Sequence, residues 1–374
     1  YVSYFPYLEF QKIEIHFIIS IFISCLIVAF ALLYKNNLFK YMFAAVLALG
    51  FTACENDDIE FPDFDKQTGY FPYQYPVRPL VMGDDEYDTT LDKQHKCQIK
   101  ATFGGSYNGS DGVVQVAVDN SLVNNLTFAD GSSVKAMPES YYSLSTLELQ
   151  FNGTFNGTTE VQLTDAFFND PDAIKNTYVI PLVMKSQKGF TEILAGTPNE
   201  GAENPSRFDE SAWKVKPMDY VLYCVKYLNK FSGYWLAEGT DKITDETGTK
   251  TQERKAATVE TRNVIQITTK SLTESILTVS YPFASKTMTA DLLLTFDGSN
   301  NCTVSSLTPG VTATGSGKWE DDGAKKAWNQ KDRDMIDLSY KVDFGGGNVA
   351  ETTDNLIWQR SGVKLEEFAP IYNK

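Results

Sequence analysis

The sequence predicts an all-β protein built from two successive β modules. Two observations predict this class. Short runs in which apolar and polar residues alternate recur between clusters of turn residues. Aromatic residues, which favour strands, make up 13% of the 374 residues, with 24 Phe, 20 Tyr and 5 Trp. A hydrophobic content of 43% is sufficient to form a core in each module.

The charge of the chain argues against nucleic acid as a partner. The formal net charge is −15, and no cluster of Lys and Arg residues occurs in the sequence. Proteins that bind the phosphate backbone need a basic surface. The aromatic residues would suit a carbohydrate-binding surface, because sugar faces pack on aromatic rings, but most of them are expected in strands and core.

Residues 1–53 are interpreted as a leader. The chain does not start with Met, and its first Met is Met42. The apolar segment Ile15–Leu33 is long enough to span a bilayer, whereas the apolar run after Met42 has the length of a signal-peptide core preceded by Lys35 and Lys40. An over-extended reading frame would explain this arrangement, and the alternative is a genuine transmembrane helix ahead of the signal.

Cys54 is the predicted lipidation site. It follows Thr52 and Ala53 at the end of the apolar run, which resembles the bacterial lipoprotein box, although Phe51 replaces the usual Leu. An acidic run with six acids and no base then extends to Asp65. This run resembles the surface-export signal of Bacteroidetes lipoproteins, and the alternative is a disordered, solvated tether. We therefore expect an acidic tether over 54–68 and a lipid-anchored protein of the outer membrane, exposed at the cell surface.

The segment 69–228 is predicted to be an immunoglobulin-like β-sandwich, because several short strands follow one another with turns between them. In the run "CQIKATF", alternation places Cys97, Ile99, Ala101 and Phe103 on one face. The run "TYVIPLVMKS" contains Pro181, which predicts an edge strand or a bulge.

This first segment resembles a domain of unknown function that is common in Bacteroidetes lipoproteins. The resemblance rests on "VQVAVDNSLVNNL", on the corner Met137–Tyr142 and on "NTYVIPLVM", and it covers roughly residues 71–225. It implies a place in a glycan-utilisation locus beside an importer of the starch-utilisation type and its lipoprotein partner. One of the two tyrosines of the corner, Tyr141 and Tyr142, should point inward, and a structural role for the corner is favoured over a binding site.

The segment 229–374 is predicted to be an antiparallel meander, closed as an up-and-down barrel or folded as a second sandwich. The run "MIDLSYKVDF" alternates throughout, and no strong helical pattern occurs in this segment. The tripeptide ending in Trp235 and the late Arg360 are similar to the lipocalin pattern. That similarity implies a lipocalin-like β-barrel in which Trp235 closes one end and Arg360 stacks on it.

Catalytic, metal and cofactor sites are not predicted. After the leader the chain has one His, His95, and no Gly-x-Ser-x-Gly motif. The acid clusters in "KWEDDG" and "NQKDRD" lack the spacing of an EF-hand, so solvated turns are favoured over calcium sites. Cys97, Cys224 and Cys302 form no CxxC pair, and one disulfide among them remains open.

Three tryptophans in polar surroundings are the candidate ligand-binding residues: Trp328, Trp319 and Trp213. Each ring could stack on a sugar while neighbouring Asp, Asn and Lys side chains bind hydroxyl groups. The alternative, that each Trp packs on its own module, is favoured for each residue taken singly. The mouth of the barrel is a rival site, because barrels of this kind hold ligands.

The sequence therefore predicts a surface lipoprotein that binds oligo- or polysaccharide without cleaving it and passes it to a neighbouring importer. A structural or adhesive protein that contacts other proteins is the alternative. An enzyme acting on polysaccharide comes third, since two carboxylates suffice for a glycosidase and carboxylates are plentiful here.

Overall fold

β-strands form most of the chain between Asp63 and Lys374, the residues that this computed structural model describes. Helical structure in that range is limited to short segments, among them the α-helices α1 (Thr90–Lys93) and α2 (Asp165–Phe168). The all-β prediction is confirmed. The predicted leader and the predicted lipidation site Cys54 lie outside the described residues.

The strands of the described chain are numbered in chain order. Their bounds are β1 (Thr68–Tyr70), β2 (Pro76–Val81), β3 (Lys96–Gly104), β4 (Val113–Val118), β5 (Leu126–Thr127), β6 (Lys135–Ala136), β7 (Tyr142–Leu144), β8 (Glu148–Gln150), β9 (Asn156–Leu163), β10 (Tyr178–Lys188), β11 (Glu192–Ile193), β12 (Thr197–Pro198), β13 (Trp213–Val215), β14 (Tyr220–Leu228), β15 (Gly233–Asp245), β16 (Gly248–Arg254), β17 (Asn263–Thr269), β18 (Glu274–Pro282), β19 (Thr287–Phe296), β20 (Asn301–Ser306), β21 (Thr312–Trp328), β22 (Lys331–Asp343), β23 (Val349–Arg360), β24 (Glu366–Glu367) and β25 (Ile371–Tyr372). Short 3₁₀-helices span Asn120–Val123, Glu139–Tyr141, Pro171–Ile174, Glu210–Ala212 and Val259–Thr261.

Two sheets form the N-terminal sandwich. One has the spatial order β11, β1, β3, β9, β7, and the other has the order β24, β2, β14, β10, β4, β8, with β6 beside β10. Alternation along β3 buries Cys97, Ile99, Ala101 and Phe103 in the core, so the predicted inward face of this strand is confirmed.

Strand β10 is not an edge strand, the first of the two roles that Pro181 predicts. It pairs with β14 on one edge and with β4 on the other, so it is an interior strand, and its register shift lies beyond Pro181, between Met184 and Ser186. The Asp119 N–H, directly after β4, donates to the Pro181 carbonyl at 2.9 Å, so this carbonyl faces the β4 side of β10. Because N–H and C=O of one residue face the same neighbour in an antiparallel ladder, the missing N–H of Pro181 falls in the gap between β4 and β6.

The predicted corner is a 3₁₀-helix followed by a strand. Tyr142 is 9% exposed and packs in the core, while the Tyr141 hydroxyl donates to Asp170 Oδ2 at 2.9 Å. One of the two tyrosines therefore points inward, as predicted. A 3₁₀-helix also follows β4, and the side chain of Asp119 caps it by accepting a hydrogen bond from the Ser121 N–H.

Eight strands close the C-terminal barrel in the spatial order β15, β17, β18, β19, β20, β21, β22, β23, with β15 paired to β23. Strand β16 is an addition that lies along Gly239–Asp245 of β15, beyond the part that pairs with β17. The predicted antiparallel barrel is confirmed. Its interior includes the alternating residues of β22 and the residue after it: Ile336, Leu338, Tyr340, Val342 and Phe344.

The C-terminal residues leave the barrel and pack on the sandwich. Strand β24 pairs with β2, and β25 pairs with β5. Between them Phe368 is 8% exposed, and its ring centroid lies 5.0 Å from that of Phe128 and 5.7 Å from that of Tyr75. The end of the segment 229–374 therefore packs on the sandwich, where it covers the apolar outer face of β14 and β2.

At the other end of the described chain, part of the predicted tether is attached to the sandwich. The Asp63 carboxylate accepts hydrogen bonds from the Ser106 hydroxyl and from the Tyr107 N–H, both at 2.8 Å. Strand β1 begins at Thr68, inside the predicted tether. The remaining module limits stay predictions.

We expect Phe368→Ala to lower the free energy of unfolding by about 3 kcal/mol, because it removes a buried ring and leaves a cavity between the chain end and the sandwich. Urea denaturation measures the change. The matched control is Leu365→Ala, three residues earlier and 84% exposed, which should change stability by no more than about 0.5 kcal/mol. Equal effects of the two substitutions would show that the chain end does not stabilise the sandwich.

Candidate functional site

The outer surface of the barrel carries ordered rows of side chains across β15, β23 and β22. Because side chains alternate between the two faces of a strand, every second residue of these strands points outward. The register places Leu236, Ile357 and Met335 side by side in an apolar row. Two residues further along each strand, a polar row begins.

The polar row consists of Glu238, Asn355 and Asp337. The Asn355 Nδ2 donates to Asp337 Oδ1 at 2.8 Å, and Arg262 Nη1 donates to Asn355 Oδ1 at 2.9 Å. Arg262 also forms an ion pair with Glu238 at 2.7 Å. These contacts hold three planar polar groups in fixed orientations on the surface.

A row of hydroxyl groups follows, from Thr240, Thr353 and Ser339. Two cavities of about 440 Å³ each lie along these rows. The first is lined by Glu238, Asp337 and Asn355, the second by Ser339, and both are lined by Thr240 and Thr353. We call this continuous surface the outer groove. Its cavities lie within the size range of small-molecule sites.

Trp328 lies at the apolar end of the outer groove. It packs on a small cluster formed by Leu236, Ile357 and Ala324.

A tight turn follows Trp328 at the end of β21. Trp328 pairs with Lys331 across two residues, Asn329 and Gln330, whose φ angles are 53° and 59°. Positive φ at both central positions is typical of a tight hairpin turn, and this turn folds the ring of Trp328 back onto the barrel.

The other two candidate tryptophans lie elsewhere. Trp319 is 6% exposed and belongs to the barrel core, where the Lys230 Nζ lies 3.9 Å from its ring centroid. Trp213 is half-buried in the sandwich region, and its Nε1 donates to the Ser206 carbonyl at 2.9 Å. The structure therefore brings only Trp328 of the three to the outer groove.

The predicted contact between Trp235 and Arg360 is absent. Trp235 is fully buried in the barrel core, and its Nε1 donates to the Phe231 carbonyl at 3.2 Å. The Arg360 guanidinium lies over the ring of Tyr234, 4.7 Å from its centroid. The cause is a shift in the register between β15 and β23. Trp235 lies opposite Trp358, but Tyr234 lies opposite Arg360, so β23 has one extra residue at this point. This residue turns Arg360 to the outer face.

A buried ionic network fills part of the barrel interior. Arg254 Nε donates to Asp241 Oδ2 at 2.6 Å, and its Nη2 donates to Asp354 Oδ1 at 2.5 Å. The Tyr340 hydroxyl donates to Asp354 Oδ2 at 2.8 Å, and the Thr352 hydroxyl donates to Asp241 Oδ1 at 2.9 Å. A cavity of about 160 Å³ adjoins this network, so the rival site inside the barrel is small.

The electrostatics of this network follow from one cation shared by two carboxylates. Burial alone would lower the pKa of Arg254, but the hydrogen bond to Asp241 and the charge of Asp354 raise it above its usual value. Burial raises the pKa of Asp354, although Arg254 and Tyr340 oppose this shift. Arg254 therefore stays charged and compensates both acids.

A further buried acid lies on β22, next to the loop that follows β2. Asp334 is 8% exposed and accepts a hydrogen bond from the Asp322 N–H at 3.0 Å. Burial raises its pKa to about 7, and the charges of Asp321 and Asp84 add to the effect, while the hydrogen bond opposes it. Nearby, Arg333 Nη2 lies 3.8 Å from Glu86 of that loop.

Within residues 63–374, no group of three or more His, Cys, Asp and Glu side chains is placed to hold a metal ion. No helix of that range is long and apolar enough to cross a bilayer. The disulfide that the sequence left open is not formed, since Cys97, Cys224 and Cys302 are all free and buried.

Comparison with known families gives two matches. The family described as "Domain of unknown function (DUF5627)" matches residues 230–362, and one described as "-like, N-terminal domain" matches residues 64–191. The crystal structure of a structural-genomics protein of unknown function from Bacteroides ovatus is 36% identical, with a TM-score of 0.77. That match covers 83% of this chain and 100% of the other.

Weaker matches come from the same species. A Bacteroides ovatus multidomain protein including DUF1735 is 9% identical, with a TM-score of 0.37 over 80% of this chain and 99% of that one. A proposed carbohydrate-binding protein from Bacteroides ovatus ATCC 8483 is 11% identical, with a TM-score of 0.23 over 81% and 99% of the two chains. TM-scores this low establish no shared fold. No curated protein matches the chain significantly.

We expect Arg254→Met to destabilise the protein by about 3 to 5 kcal/mol, because it leaves Asp241 and Asp354 buried without a cation. Urea denaturation at neutral pH measures the loss. The neighbouring Lys255→Met removes an exposed charge and should change stability by at most about 0.5 kcal/mol. A small effect of Arg254→Met would mean that the two acids are compensated in another way.

The raised pKa of Asp334 predicts a pH dependence of stability. Since its pKa is higher in the folded protein than the value of about 3.9 in an unfolded chain, the folded state holds a proton that the unfolded state releases. Its contribution to the free energy of unfolding should fall by up to about 1.4 kcal/mol per pH unit between about pH 4 and pH 7.

Asp334→Asn removes this titration and keeps an acceptor for the Asp322 N–H. Unfolding by urea across this pH range should show the variant gaining stability relative to the wild type as pH rises. Parallel pH profiles for the two proteins would show that Asp334 ionises alike in the folded and unfolded states.

Proposed function

We propose, on the premise that the chain belongs to the same family as the Bacteroides ovatus protein of unknown function, that this protein binds glycan and does not cleave it. The site that we assign to this function is the outer groove. Its location on the barrel surface leaves the packed interior of the barrel as a scaffold.

One observation supports the proposal above the others: Trp328 and the polar row lie on adjacent parts of one surface. A sugar ring offers a face of C–H groups and an edge of hydroxyl groups. The aromatic ring suits the face. The carboxylates of Glu238 and Asp337 accept hydrogen bonds from hydroxyl groups, and the Asn355 amide both donates and accepts.

The shape of the groove favours an extended ligand. From Glu238 to the level of Lys242, four residues along β15, the two cavities of the groove extend for about 13 Å. Both cavities line this path and join at Thr240 and Thr353. This length suits several linked sugars better than a single one.

The position of the protein in the cell belongs to the same proposal. A lipid on Cys54 would anchor the chain to the outer membrane, and the acidic run behind it would direct the protein to the cell surface. There it would capture oligosaccharide for a neighbouring importer of the starch-utilisation type and that importer's lipoprotein partner. This part rests on the sequence resemblances alone.

We expect native gels cast with one polysaccharide of a broad panel to retard the protein. Trp328→Ala and Asn355→Ala should each weaken the interaction about tenfold or more, as for central contacts of other binding sites. Trp213→Ala is the matched control, because it removes a tryptophan from the sandwich region, and it should bind like the wild type. Circular dichroism would verify that each variant is folded.

Other outcomes decide between the alternatives. Release of reducing ends from the retarding polysaccharide would support an enzyme. The absence of retardation by every polysaccharide would contradict the proposal and favour a structural or adhesive protein. Loss of binding in the Trp213 variant alone would move the site to the sandwich region.

A further inference from the structure

The two cavities of the outer groove differ in charge. Four acids and two cations line the first cavity: Glu238, Glu253, Asp337, Asp354, Arg254 and Lys255. In the second cavity, Lys242 and Lys341 both lie opposite Glu351, and the Lys242 Nζ is 3.0 Å from its carboxylate. The excess of negative charge is therefore confined to the first cavity, which adjoins the apolar row and Trp328.

The arginines at the first cavity are already bound to acids of the protein. Arg254 donates to Asp241 at 2.6 Å and to Asp354 at 2.5 Å, so one cation serves two carboxylates. Arg262, which contacts the lining of the cavity, forms an ion pair with Glu238 at 2.7 Å. Neither guanidinium can meet an anionic ligand without leaving a carboxylate of the protein uncompensated.

Asp337 is a carboxylate of the lining without a cation of its own. Its neighbour across the sheet, Lys318 of β21, is bound to Glu320 at 2.9 Å. Asp337 accepts a hydrogen bond from the neutral amide of Asn355, at 2.8 Å, and it is exposed. Its charge therefore faces any ligand in the first cavity.

Glu253 is a second such carboxylate. It lies opposite Thr240, at the end of the row of hydroxyl groups, and it is exposed. In the part of the chain that the structure describes, neither Glu253 nor Asp337 forms an ion pair. Of the lining cations, Lys255 also lies outside these ion pairs, and it balances at most one of the two carboxylates.

We infer that the outer groove selects uncharged glycans, because Asp337 and Glu253 exclude acidic sugars from its first cavity. This inference rests on the proposed function, since it specifies the class of glycan that the same groove binds. A hydroxyl group of a neutral sugar donates to a carboxylate, whereas the carboxylate of a uronic acid can only accept and is repelled. Such selection comes from a cost imposed on the wrong ligand.

The test starts from the neutral polysaccharides of the panel, among them amylopectin, barley β-glucan and galactomannan. Each is cast in native gels unmodified, after oxidation of its C6 hydroxyl groups to carboxylates, and after methyl esterification of those carboxylates. The full chain should bind an unmodified polymer at least about tenfold more tightly than its oxidised form. Esterification removes the charge and should restore most of the binding. High salt should reduce the preference, because it screens the repulsion.

Asp337→Asn should reduce the preference for the unmodified polymer about threefold, because it removes one exposed charge from the cavity. The matched control is Asp291→Asn on β19. Asp291 is also exposed and also accepts a hydrogen bond from a side chain, the Thr278 hydroxyl at 2.7 Å. Both variants change the net charge by one, so a general effect of the charge of −15 would appear in both.

Glu253→Gln is the second groove variant, and it should reduce the preference by a similar factor. Its control is Glu148→Gln, which removes an exposed acid of β8 in the sandwich. Because each result is the ratio of two affinities, a variant that weakens both polymers alike leaves this ratio unchanged. Circular dichroism would verify that the variants are folded.

The outcomes separate this inference from the proposed function. Equal affinity for unmodified and oxidised polymers, or retardation by acidic polysaccharides alone, would overturn the inference and leave glycan binding intact. It would also be overturned if esterification did not restore binding, since the lost hydroxyl group and not the charge would then be responsible. Equal effects of Asp337→Asn and Asp291→Asn would contradict it as well. If no polysaccharide retarded the chain, both proposals would fail.

Discussion

The pairing of β15 with β23 is the contact on which the barrel and its surface depend. These are the first and the last strands of the meander, and their register runs from Tyr234 opposite Arg360 to Thr244 opposite Val349. Without it the meander would be an open sheet with two exposed edges. The same register brings Glu238 beside Asn355, so the outer groove exists only in the closed barrel. The candidate site therefore forms only when the barrel closes.

Closure also explains the charged network inside the barrel. Side chains alternate between the two faces of a strand. On β15, Glu238 and Thr240 point outward, so Asp241 points inward. On β23, Thr353 and Asn355 point outward, so Asp354 between them points inward. Two inward acids must be paired or neutralised. Arg254, from the end of the added strand β16, supplies the charge. The hairpin of β15 and β16 thus supplies the cation, Arg254, that compensates the inward-facing Asp241.

Sequence patterns predicted what is local and missed what depends on long-range contacts. Alternation in β3 and β22 identified their buried faces correctly, because period two is a property of the strand itself. Alternation failed for Arg360. One extra residue in β23, between Trp358 and Arg360, shifts the register and turns Arg360 to the outer face. Trp328 was identified because a Trp among polar residues stands out in the sequence. Glu238, Asn355 and Asp337 look like any exposed strand residues, and only the register shows that they are neighbours.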